Sequence, residues 1–212
     1  MIITKIGHCC LVIEENGLRI LTDPGSYSTG QSDVRDLDVI LITHEHADHL
    51  HIPSLRAILK NNPKALVLTN RGVAAILDAE KISYTVLEDG ESTVEREVTI
   101  AGHGKKHALI YPGWKEVVNT GYFIANKFFY PGDAFLDPKI PVEVLALPVA
   151  GPWMKISEAI DYALIIKPKI AFPVHDGMLK PIAKTHHLVP GKILAEHEIE
   201  FRAMNAGDRT SF

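Results

Sequence analysis

Ile42-Thr-His-Glu-His-Ala-Asp-His-Leu50 is the stretch on which the reading of this chain turns. Four of the eleven histidines fall between His44 and His51, with Asp48 among them. The preceding run Val39-Ile-Leu-Ile42 is apolar and β-branched and predicts a buried strand. On extended backbone His44 and His46 project to the same side. Asp48 and His49 then fall at the turn into a helix with Pro53 in its first turn. One short segment so offers two imidazoles in one direction and a carboxylate with a third imidazole displaced from them, which suits two adjacent metal ions sharing a bridging water. Without metal, these ionisable groups would crowd a buried strand end, where charge is costly. His51 reads as an ordinary surface histidine.

Size and composition frame what such a centre can serve. At 212 residues and 46% hydrophobic, the chain can bury one good core and reads as a single domain over residues 1–212. The formal charge of −4 argues against general nucleic-acid binding, which needs a basic face. Met1-Ile-Ile-Thr-Lys5 lacks a basic region followed by an apolar signal core, and no apolar run nears the length of a membrane span. The only cysteines, Cys9 and Cys10, are adjacent, offer no disulfide framework and read as small buried residues of an early strand. These features together predict a cytoplasmic protein without membrane attachment; an oligomer is compatible with them.

Strands are expected at Ile2–Ile6, Cys10–Ile13 and Leu18–Leu21, with Asn16-Gly17 a hairpin turn between the last two. After Val39–Ile42, the pattern gives a helix over Ser54–Lys60, a strand over Ala65–Thr69, a helix over Gly72–Ala79 and a strand over Tyr84–Leu87, an α/β unit beside the meander. Val94–Ala101, Leu109–Tyr111, Gly121–Ile124 and Lys127–Tyr130 read as a second antiparallel series, with Ala125-Asn126 a tight turn. Val144–Leu147, a helix over Ser157–Ile166 and the strand Ile170–Val174 follow. Ile199–Phe201 reads as an edge strand, and the stretch after Lys180 carries no clear pattern. Each candidate ligand lies at or just past a strand end, where a sheet can hold side chains rigidly.

His44-Glu-His46-Ala-Asp48-His49 matches the H-x-H-x-D-H signature, and the chain resembles the metallo-β-lactamase-fold hydrolases. The resemblance extends to Thr22-Asp23-Pro24, Gly102 to His107, Pro131-Gly132-Asp133 and Pro173-Val174-His175-Asp176. It implies an α/β (α+β) fold: an αββα sandwich of two sheets flanked by helices. It also implies a two-metal site, with His44, His46 and a later histidine on the first ion, Asp48, His49 and His175 on the second, and Asp133 bridging. Pro131 departs from the small or hydroxylated residue more usual before the Gly-Asp pair. Two residues compete as the third histidine. His103 sits between glycines in a loop; His107 precedes the apolar Ala108-Leu109-Ile110, is better anchored, and is preferred. Asp23 is expected to support the site by accepting the free N–H of a ligating histidine. His8 could face the site, though a satisfied core or surface histidine explains it as well.

Imidazoles and carboxylates without thiolate suit two divalent ions, Zn²⁺ first, with Mn²⁺, Fe²⁺ or Ni²⁺ also admitted. Ions about 3.5–4 Å apart would hold a bridging hydroxide at neutral pH, which attacks a carbonyl or phosphoryl centre. Asp48 is the catalytic candidate, orienting that hydroxide. The resemblance is to the compact branch similar to ascorbate-6-phosphate lactonase-like proteins. The expected activity is therefore hydrolysis of a small, possibly anionic ester, lactone or phosphoester. A phosphodiesterase or nuclease, a di-iron redox enzyme and a non-catalytic metal-binding protein are the competing readings; Lys105, Lys106, Trp114 and Lys115 form the weak basic rim of the first. Trp153 and Lys155 are candidate substrate contacts, against the plainer reading of a packed indole and a solvated charge.

Overall fold

A computed structural model of the protein describes residues 1–212 except Pro181 and Lys184. The expected meander is β1 (Ile2–Gly7), β2 (Cys10–Glu15) and β3 (Leu18–Thr22), turned at Asn16-Gly17 with φ of 47° and 74°. The α/β unit follows as β4 (Val39–Leu41), α1 (Ile52–Asn61), β5 (Leu66–Thr69), α2 (Arg71–Ala79) and β6 (Thr85–Val86). The second antiparallel series is β7 (Ser92–Glu95), β8 (Val98–His103), β9 (Gly121–Ile124) and β10 (Phe128–Tyr130). It is followed by β11 (Val144–Pro148), α3 (Ile156–Ile166), β12 (Ile170–Val174), α4 (Thr185–Ala195) and β13 (Glu200–Phe201). Finally β14 (Arg209–Ser211) returns to pair with β1.

Two seven-stranded sheets result, ordered β14-β1-β2-β3-β4-β5-β6 and β13-β12-β11-β10-β9-β8-β7. In the first sheet the pairings from β14 to β3 are antiparallel and those from β3 to β6 parallel. The second repeats this plan, antiparallel from β7 to β10 and parallel from β10 to β13. The two halves are therefore alike in topology, although no repeat shows in the residues.

Strand alternation builds the layers. Along β4 and the residue after it, Val39 and Leu41 enter the core between the sheets, while Ile40 and Ile42 pack on the other face with Leu55, Ile58, Val73 and Leu77 of α1 and α2. The second sheet sends Tyr122, Ile124, Phe128 and Tyr130 into the shared core, and Phe123, Phe129 and Leu145 toward Ala159, Ile160 and Ala163 of α3 and Leu194 of α4. The order of layers is helix, sheet, sheet, helix, as the resemblance implied.

Three local expectations change. Leu109–Tyr111 forms no strand; the segment between β8 and β9 is irregular, and Leu109 and Tyr111 are exposed, so no buried face recruits them into a sheet. Val94–Ala101 is not continuous but a hairpin, β7 to β8, turned by Arg96 and Glu97 at φ of 45° and 66°. Two left-handed residues in succession suit a hairpin, but Arg-Glu lacks the Asn or Gly that announces one. Beyond Lys180, α4 forms despite Pro190 and Gly191 within it, seated through buried Pro190 and Leu194 rather than by its own pattern.

Candidate metal centre

Strand ends of both sheets meet at one edge. His8 follows β1, Asp23 follows β3, the His44–His49 loop follows β4, Asp133 follows β10, Trp153 follows β11 and His175 follows β12. His8, Asp23 and His175 hold left-handed backbone at φ of 49°, 35° and 59°. Such positions cost about 1–3 kcal/mol each and persist where surrounding contacts over-determine them, which is common at functional sites. At Gly25 a Cβ would lie 1.7 Å from the Asp48 carbonyl oxygen, so only glycine lets the Asp23–Gly25 turn pass so close to the histidine loop. β4 itself ends at Leu41; His44 and His46 converge through the loop rather than by strand alternation.

Two sets of side chains gather here, His44, His46, His107 and Asp133, and His8, Asp48, His49 and His175, with potential ligand atoms of each set within 4.8 Å of one another. Hydrogen bonds decide which ring nitrogen of His49, His44 and His107 is free. Asp23, fully buried, accepts from the Thr43 N–H (2.8 Å), the Thr43 hydroxyl (2.7 Å), His49 Nδ1 (2.7 Å) and the Tyr130 hydroxyl. His49 therefore protonates Nδ1 and leaves the Nε2 lone pair free. The Thr43 hydroxyl has given its only proton to Asp23, so at 3.0 Å it accepts from His44 Nδ1, and His44 Nε2 is likewise free. His107 Nδ1 donates to the Ala108 carbonyl at 2.5 Å, freeing its Nε2. His44 Nε2 and His46 Nδ1 stand 3.1 Å apart, close to the spacing of two ligands each about 2.0–2.1 Å from one ion.

The freed atoms have nowhere else to go. Among the described residues, His49 Nε2, His107 Nε2, His175 Nε2 and Asp133 Oδ1 are buried without hydrogen-bond partners. Asp133 lies in their midst, 3.1 Å from His49 Nε2, 3.3 Å from His107 Nε2, 2.9 Å from His175 Nε2 and 3.9 Å from His44 Nε2. Unpartnered buried polar atoms cost about 1–3 kcal/mol each, so convergence of four is a donor set built for cations. Burial presses His175 and His49 toward the neutral form, but the carboxylates outweigh it. Asp133 and Asp48 push His175 up to about 9, and Asp133 and Asp23 hold His49 well above the usual histidine range. Burial would raise Asp48, yet the nearby His175 imidazole (3.4 Å) and the hydrogen bond from His8 keep it well below the usual carboxylate range. Cys9 also approaches His49 and Asp133, but burial raises its thiol well above normal, so it stays protonated and a poor donor to metal.

The structure thus brings His44, His46, Asp48, His49, His107, Asp133 and His175 together, and leaves His103 outside. His103 ends β8 and faces Phe123 and Phe129, on the helix side of its sheet. Anchorage runs opposite to the expectation: His103 is in the strand, whereas His107 lies in the irregular segment, pinned where its N–H meets the Val117 carbonyl (2.9 Å) and the Ala108 N–H meets the Asp133 carbonyl (2.8 Å). His51 is half-buried at the start of α1, its Nδ1 2.9 Å from the Ser54 hydroxyl. Asp23 supports His49 as the resemblance implied. Asn119 holds the Pro131-Gly132-Asp133 turn, donating to the Pro131 carbonyl at 2.9 Å and accepting the Asp133 N–H at 3.0 Å.

His8 has a definite role that its sequence context left open. The Gly177 N–H donates to His8 Nδ1 at 3.1 Å, so the ring proton sits on Nε2 and is donated to Asp48 Oδ2 at 3.1 Å. That tautomer orients Asp48 and has no lone pair on Nε2 for a cation. Trp153, weighed as a substrate wall, is buried, and its Nε1–H donates to Asp133 Oδ2 at 2.9 Å. Lys155 is exposed at the start of α3, where its N–H donates to the Glu158 carboxylate. Lys5, unnoticed in the sequence, is 1% exposed and donates to the Pro173 carbonyl (2.8 Å), the Met204 carbonyl (3.1 Å) and Asp176 Oδ2 (2.7 Å), bracketing His175. Nothing but its position on an alternating strand could have pointed to it.

The beta-lactamase superfamily domain matches residues 2–175. A protein of Mycobacterium tuberculosis is 36% identical over 189 residues, spanning 87% of this chain and 88% of its own. A UPF0173 protein of Pyrococcus abyssi is 31% identical over 191 residues, 84% of each. A solved metallo hydrolase from Ignicoccus hospitalis superposes with a TM-score of 0.78 at 20% identity, covering 100% of this chain and 97% of that one, which shows a shared fold. The chain belongs to the β-lactamase superfamily and, within it, to the UPF0173 family of metal-dependent hydrolases.

Proposed function

We propose that the protein hydrolyses a small ester, lactone or phosphoester, as in lactonase-like members of the fold, using two divalent ions, Zn²⁺ first. His44, His46 and His107 would hold one, Asp48, His49 and His175 the other, with Asp133 shared. The convergence of buried polar atoms that have no hydrogen-bond partner among the described residues carries this reading. Bound ions would supply activation of water and polarisation of a carbonyl or phosphoryl oxygen. The chain's own residues do the rest. Asp23, through His49 and Thr43, and the Ala108 carbonyl, through His107, fix the ring tautomers that present free nitrogens. His8 anchors Asp48, which stays ionised and would accept a hydrogen bond from the attacking hydroxide and orient it.

The substrate is a small molecule whose anionic group, where it has one, is drawn to the ions. A nucleic-acid substrate is disfavoured because the rim lysines are paired: Lys105 with Asp89, Lys106 with Glu116 and Lys115 with Glu45. Metal analysis of protein purified without chelators, then an ester and phosphoester panel, tests the reading. About two ions per chain are expected. Asp133→Asn should weaken both sites and His175→Ala mainly the second. Stoichiometry near zero across Zn²⁺, Mn²⁺ and Fe²⁺ would overturn the proposal, and oxygen-dependent turnover with bound iron would replace it with the redox reading.

A further inference from the structure

The irregular segment between β8 and β9 does more than carry His107. Its two clamps, His107 to Val117 and Ala108 to Asp133, hold its base at the centre, while the chain between them runs outward and back. That excursion leaves Leu109, Tyr111 and Trp114 62–65% exposed, with the Tyr111 and Trp114 rings 6.2 Å apart. A cleft of about 310 Å³ lies between them and the centre; its lining includes His46, His107, Leu109, Tyr111 and Trp114, with Lys106, Lys115 and Glu116 among its charged residues. Large apolar side chains standing in water beside ligand-bearing histidines are unusual unless something covers them. The occupant is narrowed by charge. The lysines of this face are each matched by a carboxylate, so the wall offers apolar and aromatic surface without surplus positive charge. The volume is at the lower end for ligand sites, about 300–1,000 Å³, which suits a small molecule and not a macromolecule.

Building on the hydrolase reading, we infer that the substrate carries an aryl or comparably flat apolar group that lies against Tyr111 and Trp114, with its scissile group toward His46 and His107. Trp114 thereby sets specificity. The probes are phenylacetate and acetate, bound to metal-loaded protein and followed by calorimetry, beside turnover of their methyl esters. Phenylacetate should bind at least tenfold more tightly than acetate, the order of one aromatic contact plus its buried area. Trp114→Ala should erase most of that preference and lower kcat/KM for methyl phenylacetate relative to methyl acetate, with metal content unchanged. Equal binding of the two acids within twofold, or binding of neither, overturns the inference even if esters are hydrolysed. An intact phenylacetate preference without turnover of either methyl ester supports the apolar cleft and counts against carboxylic-ester hydrolysis alone. A preference that survives in Trp114→Ala while sedimentation shows a changed oligomeric state also overturns it, and assigns the patch to contact between copies of the chain.

Discussion

Replacing Trp153 by Phe isolates one hydrogen bond of the centre. The indole N–H donates to Asp133 Oδ2 at 2.9 Å, and Asp133 is 2% exposed. The six-membered ring of Phe preserves much of the packing against Phe135, His107 and His175, whose ring centroids lie 5.1, 5.9 and 5.9 Å from that of Trp153. A hydrogen bond to a charged group contributes about 1.5–3 kcal/mol, which would be ten- to over a hundredfold in affinity if it acted only with metal bound. It also exists before metal binds, so much of that energy cancels between the two states. What does not cancel is orientation, since the freed carboxylate must be fixed again when metal binds. Metal affinity should therefore fall by roughly tenfold, the lower end of the range of about 10–100-fold for such supporting contacts. Competition with a chromogenic chelator measures this directly. Phe135→Leu, which disturbs the same packing without touching Asp133, should leave affinity within about threefold of the native protein. Affinity of Trp153→Phe within twofold of native, or an equal loss in Phe135→Leu, would refute the argument.

Metal affinity should rise with pH through neutrality. His175 is held protonated up to about pH 9 by Asp133 and Asp48, and His49 is raised in the same direction, so a cation must displace those protons. Each displaced proton steepens affinity by up to about tenfold per pH unit, levelling once pH passes about 9 for His175; a flat profile between pH 6 and 8 in calorimetric titrations would contradict the charge balance. His107→Ala should cost far more metal affinity than His103→Ala, because only His107 Nε2 faces Asp133; the reverse order in chelator competition would move the role to His103. Lys5→Met should lower stability to urea by about 3 kcal/mol, since it strips a buried cation from Asp176, which among the described residues keeps His187; a loss under 1 kcal/mol would show the pair to be solvent-screened.

The parts of the fold legible in the residues are those whose signal is local. Alternation in β1 to β4, the Asn16-Gly17 turn and the amphipathic spacing of α1 and α2 each carry their structure within a few residues. The dense His44–His49 loop is legible for the same reason. What escaped depends on distant partners. Trp153 looks like any aromatic until Asp133, brought from another strand end, meets its N–H. The Arg96-Glu97 turn is forced by pairing of β7 with β8 and not by turn-forming residues. His107 looked anchored by a following strand, but its order comes from two hydrogen bonds to Val117 and Asp133 that no window of sequence contains.

Long-range contacts also explain why β1, which offers no free donor nitrogen to the centre, governs its second half. Lys5 ties the Pro173 carbonyl and Asp176 to the first sheet, and His8 receives the Gly177 N–H, so the turn Val174–Gly177 of the second sheet is gripped on both sides of His175. At Gly177 a Cβ would come within 2.9 Å of His8 Cβ and 3.0 Å of the Tyr27 carbonyl, so the grip depends on glycine there. The Nε2–H of the same His8 ring donates to Asp48 Oδ2. Asp48 and His175 come from different sheets, and the hydrogen bonds that set both converge on one strand end. The two topologically similar halves are thereby locked in register where their strand ends bring the two donor sets together, which accounts for the tolerance of left-handed backbone at His8 and His175.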